Sequence, residues 1–460
     1  MPTETSGEPI HVSEMNRVDG VTSEAAILVG VLLGARRFHG PPLEELEGLA
    51  CTAGTRVVGH LTQRRETPDA ATYLGKGKVD ELRRLADSTD ADVILFDNDL
   101  SPAQTRNLEK AIGIKVLDRT ELIMDIFASR AQTHESRLAV ELAQLEYAMP
   151  RLKRMWTHLS RQKKGVGLRG PGEKQLEVDR RLVEKRISDL RSELEVIHRR
   201  KQREVAARRE AMTVSLVGYT NAGKSTLLNV LTGADVFTQD SLFATLDTRT
   251  RRWQLPGWGP VLLSDTVGFI RDLPHHLIAS FKATLEEARQ ADLLLHVADA
   301  ANPAVEDQIS AAYRVLEEIG IEAKDTLLVI NKIDAVESRA RLDGLVSRYP
   351  HAVAVSARRG TGLAQLATAV SEALSRSFLD VDVEMGVANG RLMAYLAAHG
   401  EILSKQYHDQ RVLVHCRVPQ RCLGRIKKEP AVIRRHRNHA AQDSQGPELP
   451  RSDAVEEDVA

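Results

Sequence analysis

One short stretch constrains the fold more than any other. Val214-Ser215-Leu216-Val217 is an apolar run, and Gly218-Tyr219-Thr220-Asn221-Ala222-Gly223-Lys224-Ser225 follows it with the spacing GxxxxGKS. The order strand, glycine-bearing loop, helix start is what phosphate binding requires. Backbone N–H groups of the loop turn inward around phosphate oxygens, Lys224 places its charge at the β/γ-phosphates and Ser225 offers a hydroxyl to Mg²⁺. The helix that starts near Lys224 adds its N-terminal dipole. A chain built around this unit needs a mostly parallel sheet with helices on its faces.

Two further strand-terminal motifs narrow the ligand. Val261-Leu262-Leu263-Ser264 leads into Asp265-Thr266-Val267-Gly268, a DxxG. Asp265 can hold a water on Mg²⁺, and the Gly268 N–H can sense a γ-phosphate. Leu327-Leu328-Val329-Ile330 leads into Asn331-Lys332-Ile333-Asp334, an NKxD. A carboxylate at Asp334 accepts from the N1–H and 2-amino group of guanine, whereas adenine would leave it unpaired, which is costly when buried. Lys332 can cover the base with its stem, and Asn331 can tie the loops together. The run Ala352–Val355 then ends in Ser356-Ala357-Arg358, placed to offer backbone N–H to the guanine O6. Loops at the carboxyl ends of strands are where open α/β sheets bind ligands.

Length and composition set the frame around this unit. At roughly 150 residues per domain, 460 residues suggest about three domains. A hydrophobic fraction of 42% with 28% charged residues excludes a fibrous or wholly disordered chain. The longest apolar run, Ala25 to Ala35, is too short for a bilayer, which needs about 20 residues, so no integral membrane span is expected. Cys51, Cys416 and Cys422 form no disulfide framework, which points to a reducing cytosol.

The fold class expected is multidomain α/β. Residues 1–20 read as a loose tail. Over 21–118 strands and helices alternate as in a small N-terminal α/β domain. Residues 119–212 carry two apolar stripes at spacings of three and four: Leu138, Leu142, Leu145, Met149, Leu152 and Trp156, then Val183, Ile187, Leu190, Leu194 and Ile197. Each is one face of a long helix, and together they predict an antiparallel hairpin. Pro150 lies inside the first stripe and is expected to kink or break it. Residues 213–377 form the nucleotide domain. Residues 378–430 read as a small C-terminal α/β domain, and 431–460 as a disordered, finally acidic tail.

The net charge of −1 conceals a local excess. From Arg151 to Arg181 ten lysines and arginines face three acids, a net of +7. The expected loop 161–174 at the hairpin tip is glycine-rich and basic, and Arg161, Lys163, Lys164, Arg169 and Lys174 are its candidate RNA-binding residues. Charge runs of this kind are more often solvated faces. Gly165-Val166-Gly167-Leu168-Arg169-Gly170 fits GxGxxG literally, but no strand precedes it, so a dinucleotide site is rejected. Gly75-Lys76-Gly77-Lys78 reads equally well as a tight turn or an RNA contact.

The ordered nucleotide motifs resemble the Ras-like superfamily of GTPases. That resemblance makes Phe243-Ala244-Thr245-Leu246-Asp247 the first switch, with Thr245 a second hydroxyl ligand of Mg²⁺ beside Ser225. Phe269 stands where many such enzymes carry a water-orienting glutamine. It cannot hydrogen-bond water, so slow intrinsic hydrolysis is expected. Gly170-Pro171-Gly172-Glu173-Lys174-Gln175, Leu138-Ala139-Val140-Glu141-Leu142 and Tyr73-Leu74-Gly75-Lys76-Gly77-Lys78 are similar to the HflX family of ribosome-associated GTPases over about residues 25–377. The chain departs from that family at Lys174, where a threonine is usual, and at Thr248, where a proline is common.

The resemblance implies a Mg²⁺-dependent GTP hydrolase whose partners are GTP/GDP and the large ribosomal subunit with its rRNA. It implies ribosome splitting or rescue, or control of protein synthesis, and a monomer off the ribosome. The expected location is cytoplasmic, with a membrane-peripheral fraction. Lys224, Thr245 and Gly268 are the expected catalytic residues. A subunit-assembly GTPase is one alternative, and an RNA-binding scaffold with GTP as structural ligand is another.

Overall fold

The computed structural model describes backbone at residues 24–34, 41–161, 171–207, 212–233, 242–246, 248–256, 259–271, 282–318, 320–321, 326–376, 378–419 and 422–436. Side chains are described there except at 152–179, 204–207, 282–285 and 399. The chain divides into two compact units, Met1–Ala373 and Leu374–Ala460.

The first unit opens with a four-stranded sheet of β1 (Ala25–Leu33), β2 (Arg56–Arg65), β3 (Val93–Phe96) and β4 (Lys115–Asp118). The order is β2-β1-β3-β4 and every pair is parallel. Seven consecutive residues of β1 are buried, as expected for a strand covered on both faces. Helices α1 (Glu44–Thr52), α2 (Lys76–Thr89) and α3 (Pro102–Ile112) connect the strands. Ser101 and Gln104 close a capping box on α3 with Pro102 in its first turn. Asp118 ends β4 and at once caps α4 (Arg119–Arg130).

Two long helices follow, α5 (His134–Arg161) and α6 (Pro171–Ala207). The apolar stripes meet: Leu138 and Leu142 pack with Val183, Ile187 and Leu190, flanked by Leu145, Met149, Leu194 and Ile197. His134 pairs with Glu193 while Arg186 pairs with Glu141, so the helices run antiparallel. One expectation narrows and one changes. Helix α5 runs on through Pro150 rather than breaking there. Asp118 holds the turns on both sides of it, accepting from the Tyr147 hydroxyl and, at 2.8 Å, from Arg151. Helix α6 already begins at Pro171, so residues 171–174 belong to a helix rather than to the connecting loop. Proline suits that first position because its missing N–H would have no partner there. Lys163, Lys164 and Arg169 lie outside the described residues, as do the side chains of Arg161 and Lys174.

Among the described residues the nucleotide domain has six strands, β5 (Thr213–Gly218), β6 (Arg249–Leu255), β7 (Gly259–Asp265), β8 (Leu293–Asp299), β9 (Thr326–Asn331) and β10 (Val353–Ala354). Their order is β10-β9-β8-β5-β7-β6, with β6 alone antiparallel to its neighbour. The parallel strands bring the segments after β5, β7, β9 and β10 to one edge of the sheet. Helix α7 (Lys224–Thr232) leaves that edge. Among the described residues no helix is long and apolar enough to cross a membrane.

The second unit is an antiparallel sheet of β11 (Phe378–Gly386), β12 (Glu401–His408), β13 (Arg411–Pro419) and β14 (Ala431–Arg435) in the order β12-β13-β11-β14. Leu392, Leu396 and Ile426 from two helices pack on Val381, Val383, Val414 and Cys416. The sheet extends past residue 430, where the sequence reading begins the tail, because Ala431–Arg435 pairs along β11.

Candidate nucleotide site

The loop after β5 is shaped by two glycines. Gly218 has φ 139° and Gly223 has φ 89°, both in the region that favours glycine. A Cβ on Gly218 would stand 2.2 Å from the Val297 carbonyl oxygen, and one on Gly223 2.4 Å from Asn331 Nδ2. Asn221 is also left-handed, at φ 59°, a conformation asparagine tolerates. Lys224 is buried, and its Nζ donates to the Gly218 carbonyl at 3.1 Å and the Tyr219 carbonyl at 2.9 Å. Burial lowers its pKa to about 8 against the opposing pull of Asp265. A cleft runs over this loop, lined by Thr220, Asn221, Lys224, Ser225, Ala244 and Gly268. Thr226 also lines it, a second hydroxyl beside Ser225 that sequence reading passes over.

Three oxygen-bearing side chains converge here, of which Ser225 and Thr245 line the cleft. Ser225 Oγ lies 2.8 Å from Thr245 Oγ1 and donates to Asp265 Oδ2 at 2.5 Å, and Thr245 donates to the same oxygen at 3.0 Å. They come from α7, from the segment before β6, and from the end of β7. Asp265 is fully buried, and its Oδ1 has no hydrogen-bond partner. Burial raises its pKa, opposed by Lys224 and by the two hydroxyls. Two hydroxyls around a carboxylate with one buried, unsatisfied oxygen fit a hard divalent cation such as Mg²⁺.

The DxxG segment Asp265–Gly268 lies under tight constraint. Thr266 donates to the Leu216 carbonyl at 2.7 Å, and Val267 is buried. A Cβ on Gly268 would meet Thr220 Cα at 2.8 Å and Lys224 Nζ at 2.9 Å, so its backbone lies against the lysine. Phe269 donates its N–H to the Gly218 carbonyl at 2.9 Å and accepts from the Thr220 N–H at 2.7 Å. Its ring is buried in the core rather than turned to the cleft.

Asn331 joins the remaining loops. Its Nδ2 donates to the Ala222 carbonyl at 2.9 Å, and its Oδ1 accepts from the Ala357 N–H at 3.1 Å. That N–H, which the sequence places toward a base, is engaged by Asn331 here. Lys332 pairs with Asp299 at 2.9 Å and starts the short helix Ile333–Ala335. Asp334 accepts from the Ser356 hydroxyl at 2.6 Å, and this bond holds its carboxyl below the usual range. Arg358 is exposed beside it.

Sequence reasoning misses how closely the N-terminal domain grips these loops. Phe243 and Leu246, read as site residues, send buried side chains into the shared core. The Phe243 ring meets Phe127 of α4 edge to face at 4.6 Å. Leu242 N–H donates to Thr52 of α1. The Tyr219 hydroxyl donates to Glu45 at 2.7 Å and accepts from the Arg271 N–H at 2.6 Å. Arg271 reaches Asp97 at 2.6 Å, and Arg119 reaches Asp97 and Glu45 at 2.7 and 3.0 Å. Asp247 lies outside the described residues.

Residues 41–128 match a family model described as GTP-binding GTPase N-terminal, 130–208 one described as GTP-binding GTPase middle region, and 213–332 one described as 50S ribosome-binding GTPase. The chain is 47% identical over 397 residues to GTPase HflX of Escherichia coli strain K12, covering 85% of this chain and 93% of that protein. The chain belongs to the HflX family of GTPases. GTPase HflX of Lacrimispora saccharolytica is 44% identical over 398 residues, covering 86% of this chain and 94% of that protein. Among solved structures, a GTP-binding protein from Sulfolobus solfataricus in complex with GDP is 23% identical, over 77% of this chain and 99% of that one, with a TM-score of 0.41. The HflX-family chain is thus a P-loop GTP hydrolase, with its nucleotide motifs gathered along one edge of the six-stranded sheet.

Proposed function

We propose that this GTPase acts on the large ribosomal subunit, and that GTP holds it in the ribosome-bound state until hydrolysis releases it. The observation that carries the nucleotide half of this reading is the meeting of Ser225, Thr245 and Asp265 beside Lys224. Lys224 holds the β/γ-phosphates, and the N–H groups at the turn from Gly223 to Ser225 surround them, the Thr220 N–H being given to Phe269. Ser225 and Thr245 are the hydroxyl ligands of Mg²⁺, and Asp265 holds its water. When bound, the ion neutralises charge that builds on the phosphate oxygens. Thr245 lies two residues from Phe243, whose ring packs on Phe127, and as a hydroxyl ligand of Mg²⁺ it would register the γ-phosphate. The Gly268 amide reads the same phosphate from the other side. Asp334 accepts from guanine, Lys332 covers the base and Asn331 ties the Ala222 loop to the Ala357 loop.

Slow basal hydrolysis follows from Phe269. A buried ring held by backbone bonds to Gly218 and Thr220 leaves no side chain at the glutamine position to orient water. The ribosome supplies the acceleration. The matched description of residues 213–332 supports that partner, as does the net charge of +7 between Arg151 and Arg181. Arg161, Lys163, Lys164, Arg169 and Lys174 contact rRNA phosphates. The outcome we propose is splitting of ribosomes into subunits. Incubating intact ribosomes with the protein and GTP should convert the intact peak on a gradient into subunits. An unchanged peak at saturating protein would reject that outcome.

A further inference from the structure

The second unit carries a cluster of ligating side chains unrelated to the nucleotide site. Along β11, Val381, Val383 and Met385 face the helices, so Asp380, Asp382 and Glu384 alternate onto the opposite face. On β13 the same alternation puts His415 and Arg417 on that face. Asp382 stands directly opposite His415 on one side and Arg434 on the other. The His436 N–H donates to the Asp380 carbonyl at 3.0 Å, which carries the β14 ladder one residue further. Two imidazoles therefore arrive from the strands on either side of β11 and stack over it, centroids 3.6 Å and planes 18° apart. His415 Nε2 lies 2.5 Å from Asp380 Oδ1, and His436 Nδ1 lies 2.9 Å from Asp382 Oδ2. One ligand atom from each of Asp382, His415 and His436 lies within 4.8 Å of the other two, and all three residues are half-buried.

We propose that Asp382, His415 and His436 form a binding site for a divalent transition metal of the zinc type. Two imidazole nitrogens and one carboxylate oxygen are a zinc-type donor set. With metal–ligand bonds of about 2.0–2.1 Å, neighbouring ligands of a tetrahedral ion stand about 3.3 Å apart. The His436–Asp382 pair is already near that spacing; an ion lies in the plane of each imidazole that binds it, so binding requires His415 to turn out of its stack on His436. Asp380 orients the His415 ring, as outer-shell carboxylates orient metal-bound histidines. Asp380 already lies 3.7 Å from Arg417, so a divalent cation mainly balances the charge of Asp382. The three ligands sit on neighbouring strands whose inward side chains form a packed core, so the scaffold is rigid beneath them. Three protein ligands leave a fourth position open on the exposed side of the sheet. A bound ion would tie edge strand β14 to β13 across β11.

The test uses the full chain, stripped with a chelator and kept free of nucleotide. Co²⁺ is titrated in while its d–d absorption is followed, and Zn²⁺ is then used to displace it. The expected result is one Co²⁺ per chain with tetrahedral bands, displaced by one Zn²⁺. His415→Gln and His436→Gln should each weaken binding more than about 100-fold and remove the bands. Asp380→Asn should weaken it about 10–100-fold and keep them. His408→Gln, on β12 outside the cluster, should change nothing. Circular dichroism and the thermal unfolding transition check that each variant is folded. Absence of a micromolar site in the parent would overturn the proposal. So would an intact site in folded His415→Gln, and the cluster would then be two histidine–carboxylate ion pairs on a solvated sheet face.

Discussion

Raising the pH above neutrality isolates the contribution of Lys224, because its pKa of about 8 in the nucleotide-free protein lies within an accessible range. Burial lowers that value, and the nearby Asp265 carboxylate restores only part of it. Nucleotide phosphates place negative charge against the same ammonium, so the pKa must rise on binding. The complex then holds more protons than the free protein, and affinity must fall as pH rises. At pH 7 about nine-tenths of the free protein carries the charged lysine, and at pH 9 about one-tenth. GDP affinity should therefore drop about tenfold between these values, roughly 1.4 kcal/mol. At about pH 8 binding should take up about half a proton per GDP. Calorimetry in buffers of different ionisation enthalpy measures both quantities. Constant affinity with no proton uptake would show that Lys224 stays fully charged without nucleotide, and the burial argument would fail.

Other predictions rest on separate parts of the molecule. His296 is buried on β8, and burial lowers its pKa from 6.5 to about 4, with Lys224 adding to the shift. Between those values the unfolded chain binds the extra proton, so stability is complete above about pH 6.5 and is lost as pH falls to about 4. The loss should approach about 3 kcal/mol, and denaturant titrations of His296→Leu should lack that part of the acid slope. Asp334→Asn should weaken GTP by about 1.5–3 kcal/mol and favour xanthosine nucleotides; full guanine selectivity in the variant would mean the base is read elsewhere. Changing Arg161, Lys163, Lys164, Arg169 and Lys174 to Glu should weaken ribosome pelleting and flatten its salt dependence, by about 0.7–0.9 in slope for each phosphate no longer neutralised. GTP affinity should not change in that variant, and pelleting equal to the parent across a salt series would make the segment a solvated face.

How much of this is legible in the sequence depends on how local the cause is. The loop at Gly218–Ser225 and the apolar stripes from Leu138 and Val183 are dictated by neighbours a few residues apart, and they are readable. Whether Pro150 breaks the helix is not legible locally, because the groups that hold α5 around it, Tyr147 and Arg151, answer to Asp118 some 30 positions earlier. Strand β14 reads as tail because Ala431–Arg435 is short and ends in two arginines, and only its pairing with β11 makes it a strand. Tyr219 can be placed in the phosphate loop from spacing alone. That its hydroxyl reaches Glu45, 174 positions away, cannot be seen there. Phe243 likewise reads as a switch residue by position, whereas its ring packs on Phe127. Such contacts leave no periodic trace, because either partner looks like an ordinary polar or apolar residue in its own element.

The most direct measurement of the central claim is GTP turnover by the purified chain with and without large ribosomal subunits. The buried ring of Phe269 and the basic segment from Arg151 to Arg181 together predict slow hydrolysis alone and a saturable acceleration as large subunits are added. Small subunits should have no such effect. A fast basal rate that large subunits leave unaltered would contradict the account.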